Sequence, residues 1–265
     1  MTMQHQARKR FGQNFLVDQK IIAQIIAAIG PNSDDNLIEI GPGTAALTEH
    51  LIERCPTMQV VELDRDLVDY LSEKFAAYPD FRLHSGDALK TDFAQFHQGR
   101  QMRLVGNLPY NISTPLLFHL LKNRELIHDM HFMLQREVVD RLGAVPGNKT
   151  YGRLSVMVQY HCRVMPLIPV PPSAFRPAPK VQSAIVRLKP HRSKPATADN
   201  EILLSQLVSH CFQQRRKTLR NCLRPYAEHL SLAESQLDLS KRAEQLKVSE
   251  FVALSNYINQ SLSSQ

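Results

Sequence analysis

Three short stretches place chemically capable residues directly after apolar runs: Gly41-Pro42-Gly43, Gly86-Asp87-Ala88 and Asn107-Leu108-Pro109-Tyr110. A glycine turn lets a ligand approach the backbone closely, and the helix predicted behind it, with Leu47, Leu51 and Ile52, offers unpaired N–H groups. Roughly twenty residues on, Glu62 closes the next apolar run, where a carboxylate can accept hydrogen bonds from both hydroxyls of a ribose. Asp87 closes the one after, where it can accept from an adenine amino group. The glycines alone fit two cofactors: Gly41, Gly43 and Ala46 satisfy the Gly-x-Gly-x-x-Gly/Ala of dinucleotide sites, and S-adenosylmethionine (AdoMet) sites use a looser Gly-x-Gly. Acids at the ends of two successive runs decide for AdoMet, with Gly41, Gly43, Glu62, Asp87 and Ala88 in its site.

The third stretch suits a different partner. The exocyclic amine of adenine is a poor nucleophile because its lone pair is delocalised into the ring. The Asn107 side-chain oxygen and the Leu108 carbonyl, held by Pro109, can accept both of its hydrogens and turn the lone pair toward a methyl sulfonium. Tyr110 would stack on the extruded base. No strong base is required, since the proton can leave after the nitrogen becomes cationic.

The elements that must position these residues alternate in type. Asp18 can cap a helix whose Ile21, Ile22, Ile25, Ile26 and Ile29 fall at helical spacing up to Gly30-Pro31. Strand-like runs follow at 37–40, 59–63, 81–85, 102–106 and 130–134, with helical patterns between them, which predicts a parallel sheet covered by helices. Two further runs, 164–170 and 181–188, are too close for a crossover helix and are expected to pair antiparallel at an edge. The reading is an α/β, Rossmann-like, seven-stranded domain over residues 1–190, a linker at 191–200, and a small all-helical domain over 201–265 that has no strand-like run and no glycine.

The chain resembles the small-subunit ribosomal RNA adenine dimethyltransferases, the kasugamycin-sensitivity family. The segments that carry the likeness are RKRFGQNFLVD, EIGPG, VELDRDL, GDAL, GNLPYNISTPL, FMLQREV, YGRLSVMVQY and PPSAFRPAPKVQSAIVRL, and it resumes at FQQRRKTLRN. The resemblance implies that Asn14 and Leu16 join Gly41, Glu62, Asp87 and Asn107 around AdoMet. It implies that Asn107, Leu108 and Tyr110 hold the target adenine, with Phe175 on the base's other face, and that two methyls go to each of two adjacent adenosines near the 3′ end of 16S ribosomal RNA. From composition alone Phe175 reads as a core plug, and Phe15 is expected to pack the leader onto the sheet. Ala45 departs from the glycine that many AdoMet enzymes carry, and its methyl is expected to narrow the approach to the cofactor.

A net charge of +7 on 265 residues makes nucleic acid a better partner than a membrane surface. The positive charge collects in Arg8, Lys9 and Arg10 and in Arg215, Arg216, Lys217 and Arg220; on a helix Arg216 and Arg220 would share a face while Leu219 and Leu223 pack inward. These residues read as phosphate contacts to the small ribosomal subunit. The four cysteines form no CxxC pair, and His128 and His131 on one strand point to opposite faces, so neither a metal nor a disulfide framework is expected. The expectation is a cytoplasmic, monomeric enzyme. The competing readings are a large-subunit adenine methyltransferase of the macrolide-resistance type, a non-catalytic ribosome assembly factor, and an NAD oxidoreductase, which would need a proton-transfer pair that the chain lacks.

Overall fold

The structure is a computed structural model that describes residues 14–230 and 237–263. Two compact units emerge. One comprises the chain up to Val139 with Met165–Pro190, the other Asp140–Val164 with the chain from His191 onward.

The described residues form nine strands, all in the first unit apart from the start of β7. Two short ones, β1 (Phe15–Leu16) and β8 (Phe175–Arg176), pair antiparallel, Phe15 opposite Arg176 and Leu16 opposite Phe175. The remaining seven are β2 (Asn36–Ile40), β3 (Gln59–Glu62), β4 (Arg82–Ser85), β5 (Met102–Asn107), β6 (Ile127–Gln135), β7 (Cys162–Val170) and β9 (Ser183–Pro190). They form a single sheet of order β4-β3-β2-β5-β6-β9-β7. The five strands from β4 to β6 run parallel, and β9 joins β6 antiparallel. The two late runs are neighbours at the edge, as the missing crossover length requires.

Because β3 lies on one side of β2 and β5 on the other, the chain reverses its winding there, and a crevice opens at the carboxyl ends of the strands. Close approach at this point depends on Gly106: a Cβ on it would sit 2.4 Å from the Ile40 carbonyl oxygen. Helix α1 (Gln19–Ile29) starts where Asp18 accepts from Lys20 N and Ile21 N, ends on Gly30 in the left-handed region, and buries Ile22, Ile25, Ile26 and Ile29. This isoleucine face shares one core with Leu16, Leu37, Phe175 and Ile185.

The second unit corrects the predicted boundary. The cut after Pro190 falls at the expected linker, but residues 140–164, which end in the start of β7, cluster with the C-terminal helices. Two tyrosines account for this. Tyr151 is fully buried, donates to Leu246 O at 2.9 Å and meets the Phe212 ring edge-on. The Tyr160 hydroxyl accepts from Ala198 N and donates to Glu201. Helix α6 (Arg153–His161) therefore belongs with α7 (Glu201–Gln213) and the helix Val248–Ser263.

Candidate cofactor and target-base site

The glycine turn, Glu62, Gly86-Asp87-Ala88 and Asn107-Leu108-Pro109-Tyr110 converge at the carboxyl ends of β2, β3, β4 and β5. One pocket is lined by Asn14 and Leu16, by Gly41 and Gly43, by Glu62, Asp87 and Ala88, and by Asn107 through Tyr110. Phe15 lines it too, its ring lying 3.2 Å from where a Gly43 Cβ would stand, so it packs the leader down by covering the glycine turn. Arg8, Lys9 and Arg10 lie outside the described residues.

The glycine turn is engaged differently from the expectation. Gly41 N donates to Val61 O at 2.9 Å, Ala45 N to Pro42 O at 2.9 Å, and Gly43 N to Glu62 Oε2 at 3.2 Å. These N–H groups hold the turn and are not open to a ligand phosphate. Gly41 and Gly43 have φ of 68° and 59°, which suits glycine, but Ala45 shares the left-handed region at 73°. Its methyl is wholly buried in the core and does not line the pocket, so the departure strains the backbone instead of narrowing the cofactor's approach.

Glu62 is 6% exposed, and its Oε1 accepts from Leu63 N at 2.8 Å and Asp64 N at 2.9 Å. A carboxylate has about four acceptor positions. With Gly43 N on Oε2, one remains, so Glu62 as it stands has room for one further donor, not the two expected from a ribose diol. Burial pushes its carboxyl above the ordinary range, and the three N–H donors oppose that push. Asp87 Oδ1 caps the following turn by accepting from Leu89 N at 2.9 Å, while Oδ2 has no partner among the described residues.

Glu39 was missed in the sequence, where it reads as a gap in the apolar run LIEI. It is 1% exposed, lines the same pocket, and accepts from the Thr48 hydroxyl at 2.7 Å. Burial, with Glu62 nearby, lifts its carboxyl to about 7 against the Thr48 bond. Three carboxylates thus line the pocket, and among the described residues that line it there is no Lys, Arg or His. Such a site favours a cationic nucleoside over a pyrophosphate. The residues present fit AdoMet, whose sulfonium and ammonium groups are positive, better than a dinucleotide.

At the pocket's far end Asn107 Nδ2 donates to Asn14 O at 2.9 Å, which leaves Oδ1 as the free acceptor. Leu108 is fully buried and its N–H donates to Met133 O at 3.2 Å. Tyr110 is half-buried, with its hydroxyl 2.7 Å from Ser183 Oγ. Phe175 does not join this group. It has no exposed surface, packs opposite Leu16 in the α1 core, and is absent from the pocket wall, so the role implied by the resemblance is corrected to that of a core plug.

The basic cluster of the second unit is also rearranged. Helix α7 ends at Gln213, Gln214 leaves helical geometry, Thr218 bridges to Arg242, and only Leu219–Cys222 (α8) is helical again. Arg216 and Arg220 therefore share no helix face, although Leu219 and Leu223 are fully buried as expected. Arg215 donates to Lys149 O, Tyr151 O and Glu244, and Arg215, Arg216, Lys217 and Arg220 are all exposed.

The sheet and its pocket define a Rossmann-like AdoMet-dependent methyltransferase. The chain belongs to the family described as Ribosomal RNA adenine dimethylase, which matches residues 4–260. It is 60% identical over 253 residues to the Ribosomal RNA small subunit methyltransferase A of Saccharophagus degradans, covering 95% of this chain and 94% of that one. To the protein of the same name from Chromohalobacter salexigens it is 54% identical over 259 residues, covering 96% and 92%. Among solved structures, a dimethyladenosine transferase from Plasmodium falciparum superposes with a TM-score of 0.79 at 28% identity, covering 93% of this chain and 98% of that one. The 23S rRNA methyltransferase ErmE shares the fold, with a TM-score of 0.71 at 23% identity over 93% of this chain and 100% of that one. Family membership excludes the NAD oxidoreductase reading.

Proposed function

We propose that this enzyme dimethylates the N6 amino groups of two adjacent adenosines near the 3′ end of 16S ribosomal RNA, acting as a monomer on assembling small subunits in the cytoplasm. The observation that carries the reading is a pocket lined by three carboxylates, with no Lys, Arg or His among the described residues of its wall, that ends at Asn107 Oδ1. Bound AdoMet supplies an electrophilic methyl on a positive sulfonium. Glu62 and Asp87 anchor its adenosine, and the acidic wall formed by Glu39, Glu62 and Asp87 complements its positive charge.

The protein's own part is orientation. Asn107 Oδ1 and the Leu108 carbonyl accept the two amine hydrogens and aim the nitrogen lone pair, and the Asn14–Asn107 bond fixes which end of the amide faces the base. Tyr110 offers the stacking face. Arg216, Lys217 and Arg220 contact RNA phosphates from the second unit. The test is transfer of labelled methyl from AdoMet to unmethylated small subunits, followed by identification of the modified nucleosides. Two adjacent N6,N6-dimethyladenosines are expected. Preference for protein-free large-subunit RNA would replace this reading with the macrolide-resistance type, and binding without transfer would replace it with an assembly factor.

A further inference from the structure

Ser183 has no part in the chemistry described so far, yet it touches Tyr110, the ring proposed to stack on the target base. It opens β9, lies opposite Gln135 of β6 in the antiparallel register, and is 1% exposed. Its Oγ is 2.7 Å from the Tyr110 hydroxyl. The same tyrosine is tied at its backbone, where Ser113 Oγ donates to Tyr110 O at 3.1 Å and is itself 1% exposed. Tyr110 thus has both ends fastened to buried serines.

A phenolic oxygen lies on the Cβ–Cγ axis, so a bond to it does not stop the ring from spinning but does fix the direction of that axis. The axis decides whether the ring lies over the place where Asn107 and Leu108 present their acceptors. Both serines sit on regular elements, Ser183 on β9 and Ser113 at the start of α4 (Ser113–Leu121), and regular elements hold a site more firmly than a loop does. Without Ser183 Oγ, the Tyr110 hydroxyl loses its protein partner in a half-buried position and the side chain gains freedom to tilt away.

We infer that Ser183 is a positioning residue for methyl transfer, which holds the Tyr110 ring in the tilt that stacks on an extruded adenine. The inference rests on the proposed reading that Tyr110 stacks on the target base.

The experiment uses the full-length protein with unmethylated small subunits and measures single-turnover methylation, AdoMet affinity and subunit affinity for Ser183→Ala, Ser183→Thr, Tyr110→Phe, Tyr110→Ala and the Ser183→Ala/Tyr110→Phe pair. Ser183→Ala and Tyr110→Phe remove the same bond from opposite sides. Each is expected to slow transfer about three- to tenfold, with AdoMet and subunit affinities unchanged within about twofold. The double variant should be no slower than either single one, and Ser183→Thr should restore most of the rate. Tyr110→Phe keeps the test open should the buried Ser183→Ala fail to fold. Wild-type rates for Tyr110→Phe, or a double variant slowed by the product of the two single effects, would overturn the inference while the stacking role stands. A fully active Tyr110→Ala would instead remove the stacking role, and the inference with it.

Discussion

The Gly43 N–H donates to Glu62 Oε2 at 3.2 Å, so the acid that closes β3 also braces the turn that follows β2. Replacing Glu62 therefore does two things: it removes an acceptor for the ribose and leaves three backbone donors, Gly43, Leu63 and Asp64, without their carboxylate. Glu62→Ala should weaken AdoMet binding by roughly 1.5 to 3 kcal/mol, about ten- to a hundredfold, and should also lower the melting temperature of the free protein. Calorimetric titration and a thermal melt read the two effects separately, and an unchanged affinity would remove Glu62 from the site.

Glu39 gives a pH-dependent counterpart. Its carboxyl is raised from 4.5 to about 7 in the folded protein, so the folded state holds the proton more tightly than the unfolded chain does. Stability from this group is complete below pH 4.5 and is lost as pH rises through 7, a difference of up to about 3 kcal/mol. Glu39→Gln does not titrate and can still accept from Thr48. It should be more stable than the wild type in urea melts at pH 8, with the advantage shrinking toward pH 5. The same variant should bind AdoMet more weakly at pH 8, because a negative charge facing a cationic ligand is gone. A variant equally stable and equally tight at pH 8 would disprove both statements.

Much of this pocket was legible because its residues interrupt a pattern. Gly41, Glu62, Asp87 and Asn107 each end an apolar run, and the sheet brings the ends of those runs together. Glu39 was not legible, because a single acid inside LIEI looks like strand alternation; its meaning depends on a crevice that exists only after β5 has packed beside β2. Phe175 shows the opposite error. Composition marks it as a plug, its family position suggests a stacking partner, and burial opposite Leu16 decides for the plug. The domain boundary was missed because Tyr151 and Tyr160 carry no local signal of which core they enter. What separates Arg215 from Arg216 is likewise tertiary, since Lys149 O, Tyr151 O and Glu244 are remote in sequence.

Ala45 tests whether the departure in the glycine turn has a functional cost. Its left-handed backbone costs about 1 to 2 kcal/mol in a residue with a Cβ, but its methyl lies in the core and away from the pocket. Ala45→Gly should leave AdoMet affinity and methylation rate within about twofold of the wild type, since strain relief offsets the lost methyl and the added chain entropy. A large gain in AdoMet affinity, read by calorimetry, would show that the methyl does obstruct the cofactor.

His131 should govern acid sensitivity. The ring is 3% exposed, and neither nitrogen has a hydrogen-bond partner among the described residues. Burial lowers its titration from 6.5 to about 4, Asp129 opposing and Arg103 and Arg187 adding to the shift. Its contribution to stability is therefore present above pH 6.5 and is lost as pH falls through 4, up to about 3 kcal/mol in all. Urea melts of His131→Phe should show a flatter decline between pH 6.5 and 4, and an unaltered decline would assign that loss to other groups.

The basic cluster of the second unit calls for a division of labour. Arg215 is held by Lys149 O at 2.9 Å and Tyr151 O at 3.3 Å and pairs with Glu244 at 3.1 Å, so it braces the loop that carries the buried Tyr151. Arg216 and Lys217 are exposed in the turn after α7, where a phosphate can reach them. Arg216→Gln/Lys217→Gln should leave the melting temperature and AdoMet affinity unchanged and should slow methylation of small subunits at physiological salt. If both residues contact phosphates of single-stranded segments, the log–log salt dependence of subunit binding should flatten by about 1.4 units. Arg215→Ala should act mainly on thermal stability, because the contacts it loses are internal. An unchanged salt slope for the Gln pair would place the RNA surface elsewhere on the protein, and a salt slope that flattens for Arg215→Ala with no change in melting would reverse the roles assigned to the three residues.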